Sequence, residues 1–268
     1  MLLFAMLITA CDKTEEDEFI ASAECSTVTI QAKTPDVDQE GIHVYIFGKA
    51  GKLVEQSLLS SPEESPKFDL PPGNYTMLCL TGVPENLMPK KPDLGTSIKG
   101  VPMPATKPIT YARHKFKVER KPLNLKIQLY YITASIEFNL SGLKKAKNVE
   151  VEITNTNSGF TFIGNYINED KSTKIKCHKE GDLWKSDKKY ILPTAEAPSC
   201  IINVENEDNK ESYTYKFQEK IKHKHPYIIN ANYIGNFEFV GDFVSPEWEN
   251  PIKIDFEFGN VEEAETEK

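Results

Sequence analysis

The sequence predicts an all-β protein with two β-sandwiches in tandem. Three observations carry that expectation. From Ser26 onward, apolar and polar residues alternate with period two in one segment after another, the pattern of half-buried strands. No segment keeps apolar residues at helical spacing long enough for a convincing amphipathic helix. A proline-crowded window between Val83 and Ala112 divides the strands into an early and a late block.

Bulk composition fits such a chain. Its 268 residues suffice for one large or two ordinary domains, and 39% hydrophobic residues supply a real core. A net charge of -8 argues against binding nucleic acid, which calls for a basic patch. Lysine carries nearly all the positive charge, and Arg113 and Arg120 are the only arginines.

The first sandwich is expected over residues 24–119. In its opening strand Val28, Ile30 and Ala32 alternate with polar neighbours. A polar loop leads to Ile42-His43-Val44-Tyr45-Ile46-Phe47, apolar on both faces and therefore central in its sheet. The turn residues Gly48 to Gly51 precede a strand from Lys52 to Leu59, and the block reads as a β-meander. In Phe68-Asp69-Leu70-Pro71-Pro72-Gly73-Asn74-Tyr75, two prolines and a glycine force a tight turn that the tyrosine can pack over. This turn resembles that of transthyretin-like and related β-sandwich domains. The proline window itself cannot pair along a sheet for any length, since each proline lacks a ladder donor. It reads as a long connection packed over the junction of the two blocks.

The second sandwich is expected over residues 120–260. It opens with Leu123, Leu125, Ile127, Leu129 and Tyr131 in alternation, then shifts phase to Ile132, Ala134, Ile136, Phe138 and Leu140. A slip of one residue turns the apolar set to the other face, which predicts a bulge or a move between sheets near Tyr131. Strands follow at Val149 to Ile153, Lys174 to Cys177, Trp184 to Leu192, Ile201 to Val204, Tyr213 to Phe217 and Pro226 to Ile234. The last strand, Ile252, Ile254, Phe256 and Phe258 against Lys253, Asp255 and Glu257, alternates most cleanly. Residues 261–268 form an acidic tail.

Ahead of the first sandwich, Met1 to Ala10 is an apolar run that ends in Ile8-Thr9-Ala10-Cys11. It reads as a signal peptide over residues 1–10, and a membrane-spanning helix would need about 20 apolar residues. The run resembles the lipobox of bacterial lipoproteins, in which Cys11 becomes the lipidated first residue. No Lys or Arg precedes it, which implies a true start upstream of Met1. Residues 11–23 continue with Asp12, Lys13, Thr14, Glu15, Glu16, Asp17 and Glu18, a solvated acidic tether. The tether resembles an export signal that carries lipoproteins to the outer face of the outer membrane; a plain periplasmic spacer would have the same composition.

Catalytic signatures are missing from the sequence: it has no G-x-S-x-G elbow, H-E-x-x-H, phosphate loop or dinucleotide fingerprint. His223 and His225, read as strand neighbours on one face, suit a solvated edge better than a metal, with lysines around them. Cys177-His178 has no orienting partner to make a nucleophile. Besides Cys11, the cysteines Cys25, Cys79, Cys177 and Cys200 allow three pairings or none, as buried thiols or with a Cys177 to Cys200 bridge as the candidate disulfide. Trp184 and Trp248 are the natural candidates for a sugar platform, and covering the end of a core is the commoner use of such a side chain.

The lipobox, the tether, Val44-Tyr45-Ile46-Phe47 followed by Gly51, the Leu70 to Tyr75 turn, and Val101-Pro102-Met103 ahead of an alternating strand together resemble one family. It is the fimbrillin-associated anchor proteins, accessory lipoproteins of type V fimbriae in anaerobic Gram-negative bacteria. The resemblance implies two transthyretin-like sandwiches, no enzymatic activity, no cofactor, other fimbrial subunits as partners, and an outer-membrane location through lipid on Cys11, facing the exterior. It also implies assembly by β-strand complementation, with Ile252, Ile254, Phe256 and Phe258 as the candidate donor strand. In related polymerising subunits an arginine-specific protease removes the first strand. Here no arginine precedes Arg113, which favours an anchor subunit that keeps it. The competing class is a surface glycan-binding lipoprotein of a polysaccharide-uptake system.

Overall fold

The computed structural model describes residues 25–35, 41–61, 63–234 and 252–258. The first block contains β1 (Ser26–Lys33), β2 (Ile42–Phe47), β3 (Leu53–Leu59), β4 (Lys67–Leu70), β5 (Gly73–Thr81), β6 (Ser97–Lys99), β7 (Thr110–Val118), β8 (Leu123–Gln128) and β9 (Tyr130–Tyr131). The second contains β10 (Ala134–Ser141), β11 (Asn148–Thr156), β12 (Gly159–Thr161), β13 (Tyr166–Ile167), β14 (Lys171–Glu180) and β15 (Leu183–Lys185). It continues with β16 (Lys189–Ile191), β17 (Ser199–Glu205), β18 (Lys210–Lys216), β19 (Pro226–Tyr233) and β20 (Ile252–Phe258). Glu85–Leu87 forms a single 3-10 turn.

Strands β2 and β5 lie at the middle of a five-stranded sheet of order β3-β2-β5-β7-β9, and both are buried on their two faces. Ile42, Val44, Ile46, Met77 and Cys79 face a three-stranded sheet, β4-β1-β8, whose Val28, Ile30, Phe68 and Leu70 complete the first core. The meander expected of this block is therefore split. Strands β1, β4 and β8 leave it to cover the apolar face that one sheet cannot cover for itself. The 70–75 turn is the corner between the two sheets. Tyr75 packs back over it, donating from its hydroxyl to the Pro71 carbonyl at 2.8 Å.

The strand at Leu123 to Gln128, expected to open the second block, belongs to the first. It pairs in parallel with β1 from Val28 opposite Leu123 to Lys33 opposite Gln128. Its alternation marks a strand, but its partner lies nearly a hundred residues back and leaves no local trace. The phase slip near Tyr131 is a move between sheets. In a dozen residues the chain passes from β8, beside β1, through β9, beside β7, into β10 of the second block.

Apart from β12 and β13, the second block is one nine-stranded sheet, β18-β17-β11-β14-β15-β10-β19-β20 with β16 also on β10, and its two ends meet. Tyr215 of β18 stacks on Phe256 of β20 with ring centroids 4.1 Å apart. Ile136, Phe138, Val149, Val151, Ile175, Ile202 and Ile229 fill the space between. On the outer face a short polar ladder joins parallel β10 and β19, Asn139 Nδ2 donating to Asn230 Oδ1 at 2.9 Å and Ser141 Oγ to Asn232 Oδ1 at 2.7 Å.

A third core joins the blocks. Tyr45, Phe47, Leu78 and Leu80, on the remaining face of the five-stranded sheet, meet Ile98, Val101 and Ile109 of the proline window and Phe160 and Phe162 of the second block. The window does pack over the junction, as expected, but three of its residues also form β6, between Pro92 and Pro102, in the sheet β13-β12-β6. There the backbones approach so closely that a Cβ on Gly159 would lie 2.1 Å from the Ile98 carbonyl oxygen. Only glycine fits.

Two outcomes test this description. Phe160→Ala, at the fully buried centre of the joining core, should cost about 3–5 kcal/mol, read from urea unfolding. A cost near zero would mean that the blocks do not share this core. His43 of β2 lies 3.0 Å from Glu85 of the 3-10 turn, and burial lowers its pKa below 6.5 although Glu85 opposes that shift. The folded chain therefore resists the proton that the unfolded chain accepts. This contribution to stability is complete above pH 6.5 and is lost as pH falls below it towards the folded pKa. His43→Asn should flatten the dependence of the melting midpoint on pH just below 6.5.

Candidate functional site

The resemblance singles out two strands, the first and the last. β1 is bonded on both sides, antiparallel to β4 and parallel to β8, with Val28 and Ile30 fully buried. Both its ends are clamped. Ser26 Oγ donates to the Glu119 carbonyl at 2.7 Å, and the Lys33 carbonyl accepts from the Leu129 N–H at 2.8 Å and Gln128 Nε2 at 3.2 Å. β20 differs. It ends the order of its sheet and pairs in parallel with β19, from Tyr227 opposite Ile252 to Tyr233 opposite Phe258. Ile252, Ile254 and Phe256 are only partly buried against the second core.

The three buried cysteines are not poised for redox or nucleophilic chemistry. Cys79, Cys177 and Cys200 are buried free thiols, and Cys25 is exposed. Burial pushes the Cys79 and Cys177 thiols up to about 12 and raises Cys200 as well, so none forms a thiolate at neutral pH. The candidate Cys177 to Cys200 bridge is not formed. Cys177 lies opposite Val149 and Cys200 opposite Ile153, on strands either side of β11. Two strand spacings come to about 9.5 Å, beyond the roughly 7 Å that a disulfide spans.

His223 and His225 sit in the turn between β18 and β19, not on a strand. Among the described residues no three His, Cys, Asp or Glu side chains gather as a metal site. His178 points away from the core, 3.8 Å from Asp187. Trp184 is a core residue, 5% exposed with Nε1 donating to the Leu143 carbonyl at 3.3 Å, and cannot serve as a sugar platform. Cys11, the tether, Trp248 and the acidic tail lie outside the described residues. No described helix is long and apolar enough to cross a membrane.

The sequence reading missed a cleft between the blocks, of about 580 Å³. Arg113 and His114 of β7, Lys126 of β8, Tyr130 of β9, and His223 and Lys224 of the β18–β19 turn line it. No motif marks it, because the six come from four separate segments.

A two-sheet block and a nine-stranded sheet joined through a common core, with a clamped first strand and an edge last strand, define an all-β class of protein. An adhesin candidate from Bacteroides ovatus shares this fold with a TM-score of 0.54 at 14% identity, over 79% of this chain and 88% of that one. The C-terminally truncated tip fimbrial protein Mfa3 from Porphyromonas gingivalis shares it with a TM-score of 0.51 at 12% identity, over 77% and 94%. A candidate polysaccharide-binding protein from Bacteroides thetaiotaomicron gives 0.54 at 12%, over 69% and 78%. The profile of the fimbrillin-A associated anchor proteins Mfa1 and Mfa2 matches residues 27–255. The chain belongs to that family. No curated protein matches it in sequence.

The thiols give a direct check. With Cys11 changed to Ser, a thiol reagent should modify Cys25 quickly in the native protein and the other three only on unfolding. A Cys177–Cys200 disulfide found by non-reducing mass spectrometry would contradict the register.

Proposed function

We propose that this protein is an accessory subunit of a type V fimbria that anchors or assembles the fibre at the outer surface of the outer membrane, held there by lipid on Cys11. The observation that carries the reading is the family match, which runs across both blocks from β1 to β20. It accords with a structural, non-enzymatic protein, and with the inert thiols and inward Trp184.

The strand arrangement supports an anchor. A subunit that polymerises by strand exchange needs an open acceptor groove, and β1 fills the corresponding groove between β4 and β8. With no arginine before Arg113, an arginine-specific protease has no cut that would release β1. β20 is the donor we nominate. Burying a side chain fully is worth about 1.5–3 kcal/mol, and the three partly buried ones hold β20 with less than that each. Ile252, Ile254 and Phe256 would then present to a neighbouring subunit the same alternate positions that they now present to their own core, with Phe258 next in the alternation of the sequence. Lipid on Cys11 supplies the membrane end, since more than one acyl chain gives lasting attachment.

In the native host, wild-type protein should incorporate labelled palmitate, fractionate with the outer membrane and co-purify with an SDS-resistant ladder of fimbrial subunits. Cys11→Ala should lose the label and shed fibres into the medium. Deleting residues 252–268 should detach the fibres while the protein stays soluble. Unlabelled wild-type protein, or a lone monomer after extraction, would defeat the reading. Complete loss of soluble protein on deletion would show β20 to be indispensable core and would remove it as the donor.

A further inference from the structure

We infer that the cleft between the two blocks binds an acidic sugar unit of a glycan. The inference stands on the cleft itself and does not depend on the fimbrial reading.

Charge is the first argument. The chain carries a net -8, yet Arg113, Lys126 and Lys224 converge on one cleft with two histidines beside them and no carboxylate in its lining. Some lysines elsewhere are matched, Lys117 and Lys121 by Glu119, Lys174 between Glu150 and Glu152, and Lys210 by Glu205, while others such as Lys144 and Lys145 stand singly in solvent; what sets the cleft apart is that three cations share one lining. Arg113, Lys126 and Lys224 pair with no carboxylate among the described residues. Gathered cations without counter-charge repel one another and favour an anion between them.

Shape and chemistry narrow the anion. Tyr130 is 54% exposed, one of few large hydrophobic side chains left in solvent, and Lys224 Nζ lies 4.7 Å from its ring centroid. A bare inorganic anion would use the cations and leave the ring idle. A neutral sugar would use the ring and leave the cations idle. A uronate or sulfated sugar uses both, its C–H face on the tyrosine and its acid group against the guanidinium and ammonium groups. A cleft of about 580 Å³ is in the range of small-ligand sites. An extended nucleic acid would need a basic face, which an acidic chain does not offer.

The walls are already fixed. Tyr111 donates to the Phe162 carbonyl at 2.8 Å, Arg113 Nη1 to the Ile163 carbonyl at 2.8 Å, and Tyr166 to the Ile132 carbonyl at 2.9 Å, each bond crossing from one block to the other or to the link between them. The Lys224 N–H donates to the Thr133 carbonyl at 3.0 Å, which seats the turn that carries it. Arg113 has five donors and uses one here, so the others remain for a ligand.

The test is calorimetry of the purified chain, lacking residues 1–11, with tetragalacturonate, its methyl ester and a heparin-derived tetrasaccharide. At least one acidic probe should bind, with an affinity that falls as salt rises. The uncharged ester should bind at least about tenfold more weakly than tetragalacturonate if the uronate is the preferred acid. Tyr130→Ala, Lys126→Gln and Lys224→Asn should each weaken the best probe severalfold without moving the melting midpoint; asparagine tolerates the positive φ of 65° at position 224. Lys144→Gln with Lys145→Gln, away from the cleft, should change nothing. Failure of both acidic probes at millimolar concentration would overturn the inference. So would equal weakening by the distant lysine pair, or indifference to Tyr130→Ala and Lys126→Gln.

Discussion

Strands β2 and β5 are apolar on both faces, and the architecture follows from the need to cover them twice. A single sheet leaves both faces to water. On one side β1, β4 and β8 supply the cover, and on the other Ile98, Val101 and Ile109 of the proline window do so together with Phe160 and Phe162. The second cover comes from the far block, so the two halves share a core and are not merely strung together. This also gives the prolines a use. Paired as a strand ahead of β7 only over the three residues of β6, the window runs across the apolar face and sends Ile98, Val101 and Ile109 into it.

Much of this was legible in the sequence, and what was not has a physical cause. Period two located nearly every long strand, because alternation is imposed by the pleat and needs no partner. The continuous run from Ile42 to Phe47 announced a central strand, and the slip near Tyr131 announced the change of sheet. Partners are another matter. Leu123 to Gln128 alternates in the same way whether it lies beside β1 or opens the next sandwich. The two-residue strands β9 and β13 are too short for any period, and β6 hides among prolines.

The candidate sites divide along the same line. Cys177 and Cys200 looked pairable because spacing along the chain says nothing of the β11 strand between them. Trp184 looked like a platform because sequence cannot tell an inward indole from an outward one. The cationic cleft was illegible for the opposite reason: Arg113, Lys126 and Lys224 each resemble ordinary solvated charges, and only the docking of the blocks brings them together.

The double pairing of β1 has a mechanical side. Its hydrogen bonds lie across the strand axis, to β4 over Ser26 to Thr29 and to β8 over Val28 to Lys33, so that between them they run its whole length. A pull transmitted along that axis from the amino-terminal end loads those bonds together, in shear, whereas a pull across the strand would peel them one after another. Ser26 and Lys33 close the two ends of that run with their bonds to Glu119 and Leu129. Tension arriving through the residues ahead of Ser26 would thus be spread over two strands and a filled core before any single contact had to yield.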